Sequence, residues 1–275
     1  MALAYMLDYT EDHTLTGLRN FSPPPMRIDM RLQTLLEEWP EQRILDLIQN
    51  ATQDDVARAL AKEELTPADF AALLSPAALN RLEDMAVAAH RLTRRYFGWT
   101  IGMYAPIYIS NICGCDCVYC GYAVRSGSRL KRLKLNAEEI RRECNALAQS
   151  GYQNVLLLTG EARKVTPPEY IAEAVSIAYN VFSAVSVEVY AMDEEEYRLM
   201  VDHGLDGVTL YMETYHRDTY ARVHLKGQKR DYDYRLEALE RAGRAGARRV
   251  GVGALLGLYD WRADGFWTAM HARYL

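Results

Sequence analysis

The stretch Ala105-Pro-Ile-Tyr-Ile-Ser110-Asn-Ile-Cys113-Gly-Cys115-Asp-Cys117-Val-Tyr-Cys120-Gly121 decides the fold. It begins as a short apolar run of strand character and passes straight into four cysteines, Cys113, Cys115, Cys117 and Cys120. Thiols that follow a strand directly sit at its C-terminal end, the face on which (β/α) barrels carry their active sites. Downstream, four more such runs appear at Asn154–Thr159, Val185–Val189, Gly207–Tyr211 and Arg249–Gly253. Between them lie capped helices. Asn136 with Glu139 makes a capping-box pattern whose helix stops at Gly151, Thr166-Pro167 with Glu169 opens the next, and Asp193 with Glu196 opens a third that Gly204 stops. A fourth runs through Leu236 and Leu239 to Gly246.

Repeated strand–helix alternation predicts parallel strands joined by right-handed crossovers. A doubly wound sheet and a (β/α) barrel both satisfy the pattern. About five βα units do not close an eight-stranded barrel, and an unclosed sheet leaves two edges to be covered. Either the fold is an open partial barrel or the chain lacks its C-terminal part, and the edge argument favours the second. Upstream, residues 30–97 read as helical. Leu32, Leu35, Leu36 and Trp39 keep helix spacing up to Pro40, Ile44 to Ile48 suggest a second helix, and Thr66-Pro67-Ala68-Asp69 is a helix start. Ser75-Pro76 starts another, with Leu82, Met85, Ala86, Ala89 and Tyr96 on one apolar face. Residues 1 to about 30, with Ser22-Pro23-Pro24-Pro25, read as a loosely attached arm. The expected organisation is an arm and helical extension over 1–97 and a partial barrel over 98–275.

Composition excludes several classes of function. The 275 residues carry a net charge of −5, with 49% hydrophobic and 25% charged residues, ordinary for a globular chain. An acidic balance argues against a nucleic-acid binder, and no run approaches the ~20 apolar residues of a membrane span. With no basic-then-apolar leader pattern and an odd total of 5 cysteines, the expected location is the reducing cytoplasm.

Cys113, Cys117 and Cys120 have the spacing C-x3-C-x2-C. Three thiolates hold three irons of a [4Fe–4S] cluster and leave the fourth open to a small chelating ligand. Four thiolates could instead bind zinc, but their crowding makes a tetrahedral cage hard to wrap. Cys115 would block the open iron if it reached it, and reads as a bystander. Cys144 shares an apolar helix face with Ile140 and Leu147 and reads as an ordinary buried thiol.

With an aromatic residue before its last cysteine, this motif resembles the radical S-adenosylmethionine (SAM) superfamily. Tyr108-Ile-Ser110-Asn111 and Cys117-Val-Tyr119-Cys120-Gly121-Tyr122 resemble its aromatic amino-acid lyases. Leu157-Leu-Thr-Gly160-Glu161, Glu213-Thr-Tyr-His216, His224-Leu-Lys-Gly227 and Gly251-Val-Gly-Ala-Leu-Leu-Gly257-Leu258 are similar to the tyrosine lyases of thiamine biosynthesis. The resemblance covers roughly residues 66–275. It implies a [4Fe–4S] cluster and SAM as cofactors, with SAM split to methionine and 5′-deoxyadenosine. It implies cleavage of the Cα–Cβ bond of L-tyrosine to 2-iminoacetate and p-cresol. Implied partners are thiazole synthase and a low-potential donor such as flavodoxin or ferredoxin, with no nucleic acid or membrane. The tyrosine-cleaving maturase of [FeFe]-hydrogenase shares the first step and is the alternative within the superfamily. A non-catalytic zinc- or cluster-stabilised module is the alternative outside it.

Individual residues carry these expectations. The resemblance places Tyr119 and Glu161 on SAM, the latter at its methionyl ammonium. Glu188, in an interior strand, is costly to bury without partners, which points to a polar cavity end facing SAM. Glu213 follows the fourth strand in a similar position. The resemblance puts Tyr108 near the substrate amine and gives His224 a catalytic role, against the simpler readings of core packing and a surface histidine. Arg125, Arg129, Lys131, Arg132 and Lys134 read as a solvated face or as the entrance for anionic groups. Met212 stands where glutamine is expected from the resemblance, which puts the polar lining there in doubt. Gly251-x-Gly253 is no dinucleotide fingerprint, because Leu256 stands where that motif needs glycine.

Overall fold

The computed structural model describes residues 31–125, 127 and 129–275. The expected N-terminal arm lies outside the described residues. Among the described residues five α-helices come first: α1 (Leu32–Glu37), α2 (Glu41–Asn50), α3 (Gln53–Leu60), α4 (Pro67–Leu73) and α5 (Leu82–Phe97). Thr66 is the expected N-cap, with Pro67 at the first helical position, and with Asp69 it forms a reciprocal capping box. Thr52 and Asp55 form a second such box and start α3, which the apolar spacing alone did not announce. Ser75-Pro76 opens a 3₁₀ turn, Pro76–Arg81, ahead of α5. The apolar face expected along α5 is left uncovered. None of its residues is buried, and Leu82, Val87, Leu92 and Tyr96 stand exposed.

The remaining chain alternates as the sequence grammar requires. It runs β1 (Tyr104–Ser110), β2 (Asp116–Cys117), α6 (Ala137–Gln149), β3 (Asn154–Thr159), α7 (Pro168–Tyr179), β4 (Ala184–Glu188), α8 (Glu194–Asp202) and β5 (Gly207–Thr209). Then come α9 (Arg217–Val223), β6 (His224–Lys226), α10 (Tyr232–Leu236), α11 (Ala238–Arg244), β7 (Arg249–Gly251) and α12 (Trp261–Tyr274). The expected single helix through Leu236 and Leu239 is two helices, because Glu237 both ends α10 and begins α11. The main sheet has five strands in the order β1-β3-β4-β5-β7, every neighbouring pair parallel. It is an open arc of a (β/α) barrel with β1 and β7 as its outer strands.

Alternation along the strands divides the sheet into two faces. Ile107 and Ile109 of β1, Val155 and Leu157 of β3, and Val185 and Val187 of β4 are buried in one core with α6, α7, α8 and α11. Each such side chain contributes about 1.5–3 kcal/mol of transfer free energy. The opposite face carries Tyr108 and Glu188, neither of which is buried. A second core joins Leu32, Ile44, Ile48 and Ala71 of the N-terminal helices to Phe266, Trp267 and Met270 of α12. That core lashes the helical extension to the barrel arc. Met212 belongs to it and is only 1% exposed, so position 212 faces away from the site and its apolar character removes no polar lining.

Two elements have no signature in the sequence. β2 and β6 pair antiparallel as a separate two-stranded sheet, with Asp116 opposite Lys226 and Cys117 opposite His224. Strands of two and three residues are too short to show a period.

Candidate active site

The four clustered cysteines lie beyond the C-terminal end of β1, against the end of β3. Gly160 is required there. A Cβ at that position would stand 2.4 Å from the Ile112 carbonyl and 2.9 Å from Cβ of Cys113, so only glycine lets β3 end this close to the cysteine loop. The Gly114 amide donates to the Glu161 carbonyl at 2.9 Å and ties the two loops together. Behind the loop, Arg132 donates to the carbonyls of Asn111 (2.8 Å) and Tyr122 (3.0 Å), and Arg125 pairs with buried Asp116 at 3.1 Å. Part of the basic run therefore braces the cysteine loop rather than forming a freely solvated face.

The donor set suits an iron–sulfur cluster better than a single metal ion. All five cysteines are free thiols. Backbone amides point at two of the three spaced sulfurs, Cys115 N–H to Cys113 Sγ and Tyr122 N–H to Cys120 Sγ, both at 3.4 Å. Such donors favour thiolates and tune clusters. The Cys113 thiol is lowered to about 6, chiefly by the hydrogen bond from Cys115, whose own thiol is raised by the same interaction. Among the described residues no three ligands come close enough to hold one metal ion. Zinc needs four donors around a single point, whereas a cluster spreads three thiolates over three irons. Cys115 is buried (1% exposed), with Sγ 3.8 Å from Oε2 of Glu161 and its side chain packed against Gly227.

Charged groups fill the strand ends beside the cysteines. Glu161, after β3, accepts from Nη1 of Arg235 at 2.7 Å, and Nη2 of Arg235 lies 4.0 Å from Glu213. Nε of the same guanidinium donates to the Tyr211 carbonyl at 2.8 Å. Glu213 also pairs with Lys229 at 2.6 Å. It is the single non-glycine residue with positive φ among the described residues, at 68°, a backbone state that side chains rarely adopt. The strain is held by the carboxylate's pairing and by the Glu213 carbonyl, which accepts the Leu255 amide at 2.7 Å. Glu188, at the end of β4, makes no ion pair among the described residues; burial, with Glu213 nearby, raises its pKa. Three carboxylates thus face two cations, buried Arg235 and half-buried Lys229, leaving acceptor capacity for a cationic ligand group.

Tyr108 is 48% exposed on the open face of β1, its ring 5.9 Å from that of Tyr122. The core-packing alternative for Tyr108 therefore fails. Burial, with Tyr122, Glu188 and Cys120 nearby, raises its pKa. His224 is not the surface histidine of the simpler reading. It is fully buried, Nδ1 faces the Tyr220 carbonyl at 2.9 Å and Nε2 faces the Tyr119 hydroxyl at 2.7 Å. Both nitrogens are occupied, so the imidazole does not face the cavity. Burial with Lys229 and Arg235 nearby lowers it to about 4, which keeps it neutral at pH 7.

Arg235 and Lys229 are site residues that the sequence reading missed. Arg235 had a signal: it is an arginine on the inward stripe of Leu236, Leu239 and Ala242, and only 5% exposed. Lys229 sits in a 3₁₀ turn between β6 and α10 and had none.

Fold and site together define an open (β/α) arc with three spaced cysteines, suited to an iron–sulfur cluster, at its strand ends. The family model of the radical SAM superfamily matches residues 107–271, and the chain belongs to that superfamily. Its cofactors are a [4Fe–4S] cluster and SAM. The chain is 44% identical over 239 residues to 2-iminoacetate synthase of Escherichia coli (strain K12), across 86% of this chain and 62% of that one. It is 42% identical to 2-iminoacetate synthase of Salmonella typhimurium over the same shares. The chain thus spans less than two thirds of the length of these curated relatives. Among solved structures it resembles HydG, a maturase of the [FeFe]-hydrogenase, with a TM-score of 0.80 and 33% identity over 86% of this chain and 54% of that one. No helix among the described residues is long and apolar enough to cross a membrane.

Proposed function

We propose that the chain carries the catalytic arc of a tyrosine lyase that cleaves the Cα–Cβ bond of L-tyrosine to 2-iminoacetate and p-cresol. The observation that carries this reading is the 44% identity to a 2-iminoacetate synthase across the arc that contains the whole candidate site. When bound, the cluster and SAM supply one-electron reduction and hydrogen-atom abstraction. Cys113, Cys117 and Cys120 would hold the cluster and leave one iron for SAM. Glu161, oriented by Arg235, offers its carboxylate to the methionyl ammonium. Tyr119, in the cysteine loop, would border the cluster when it is bound. Glu188 and Glu213 line the strand ends where the rest of SAM and the substrate zwitterion require polar partners. Tyr108, on the open face near Glu188, sits where the substrate amine would lie. In this reading 2-iminoacetate passes to thiazole synthase, and a flavodoxin or ferredoxin in the cytoplasm supplies the electron. Maturation of [FeFe]-hydrogenase is the second reading, favoured by the likeness to HydG but at the lower identity of 33%.

The test is anaerobic reconstitution with iron and sulfide, reduction, and EPR with and without SAM, followed by assay of tyrosine for p-cresol. A [4Fe–4S] signal that changes shape with SAM, and p-cresol formed in step with 5′-deoxyadenosine, is the expected result. Retained zinc in place of iron, or 5′-deoxyadenosine without p-cresol, would overturn the reading.

A further inference from the structure

The cysteine loop is gripped from one side by a segment more than a hundred residues later in the chain. β6 pairs with β2, so that His224 lies opposite Cys117 and Lys226 opposite Asp116. The Val118 amide donates to the Val223 carbonyl at 3.0 Å. Gly227, with φ +95°, closes against Cys115, where a Cβ would stand 2.4 Å from Sγ and 2.8 Å from Cα. His224 completes the grip through its ring. The Tyr220 carbonyl can only accept, so Nδ1 carries the proton. Nε2 is left with its lone pair, which accepts the Tyr119 hydroxyl at 2.7 Å. The Tyr119 and His224 rings meet edge to face with centroids 5.6 Å apart, and Tyr220 backs the imidazole at 4.0 Å. A fully buried histidine with a single possible tautomer is a rigid post.

We propose that His224 is a positioning residue that acts through Tyr119. It holds the segment between Cys117 and Cys120 in the one geometry that leaves the open iron accessible to SAM. The hydroxyl of Tyr119 is spent on this contact, so Tyr119 presents its ring and backbone, not its oxygen, toward the cofactor. Cys115 fills the socket beneath Gly227 and is kept from the cluster by the same grip. The inference rests on the family's cluster and SAM, and not on tyrosine as the substrate.

Tyr119→Phe removes one oxygen and leaves the ring, and His224→Phe removes the acceptor. Three measurements are made on each, and on the double variant, in the full chain: iron per chain after reconstitution, the SAM concentration that gives half of the EPR change, and hydrogen exchange of the Val118 amide without cofactors. Expected are unchanged iron for Tyr119→Phe, about a tenfold rise in the SAM concentration needed, and faster Val118 exchange. The double variant should be no worse than the poorer single one, because both remove the same contact. Wild-type SAM response and wild-type Val118 exchange in Tyr119→Phe would overturn the proposal, whatever His224→Phe does to the fold. Additive losses in the double variant would also overturn it, since they would mean that the two residues act separately. None of these readouts uses p-cresol, so failure of the proposed tyrosine chemistry would leave the result standing.

Discussion

The two faces of one sheet are built from the same strands and do opposite work. On β1, β3 and β4 the residues that turn toward the helices are Ile107, Ile109, Val155, Leu157, Val185 and Val187, all buried in one continuous core. One residue along, the side chains turn the other way, and there stand Tyr108 and Glu188, incompletely covered and with raised pKa values. A strand alternates by geometry, so the helix-facing residues supply stability while their immediate neighbours are free to supply chemistry. The strand ends then add Glu161 and Glu213, which tolerate ion pairing and positive φ because the apolar face has already anchored the strands.

Substitutions that separate the two faces sharpen this contrast. The largest effect is expected at the cysteines: Cys117→Ala or Cys120→Ala should abolish cluster assembly, read as iron and sulfide per chain. Cys115→Ala should retain the full complement, and loss of iron in that variant would make Cys115 a ligand. On the helix-facing side, Leu157→Ala should cost about 2–5 kcal/mol in urea unfolding. On the open side, Tyr108→Phe should stay within about 0.5 kcal/mol while lowering turnover of tyrosine. Equal destabilisation by the two would break the comparison. Gly227→Ala, which combines a strained backbone with a clash against Cys115, should destabilise the chain by about 1–3 kcal/mol. A tolerated alanine there would mean that the grip on the cysteine loop is loose.

The last effect concerns pH. Asp264 of α12 accepts from the Thr214 hydroxyl at 3.0 Å and the Tyr215 amide at 2.8 Å, and so pins the segment that follows Glu213. Burial raises it to about 6, from an ordinary value of 3.8. The folded chain therefore holds this proton more tightly than the unfolded chain. Its contribution is most favourable below about pH 4 and is lost as the pH rises toward 6 and beyond. Wild type should lose stability relative to Asp264→Asn as the pH goes from 4 to 7 in parallel urea titrations, and a constant difference would refute the assignment.

What could be read in advance follows from how local each signal is. The capping boxes at Thr66 and Asn136 and the strand from Asn154 to Thr159 depend on residues within one turn or one run, and they stand where the sequence put them. On α5, periodicity states which side is apolar and not whether anything covers it. Arg235 was legible only as an arginine out of place on an apolar stripe. Its bonds to Glu161 and to the Tyr211 carbonyl join residues 74 and 24 positions apart.

By itself, then, the amino-acid sequence determined the parallel α/β alternation, the three-cysteine site at the end of the first strand and the acidic residues that end the later strands. Each of these is written in spacing, capping and residue chemistry within a short window. Only the tertiary structure decided what the surrounding residues do. It buried His224, the candidate catalytic group, with its ring nitrogens against the Tyr220 carbonyl and the Tyr119 hydroxyl. It seated Cys115 against Gly227, gave Glu161 and Glu213 their cations, and sent Met212 into the other core. Those assignments come from chain segments that meet only after the helices have packed, and no local period encodes which distant side chain will arrive.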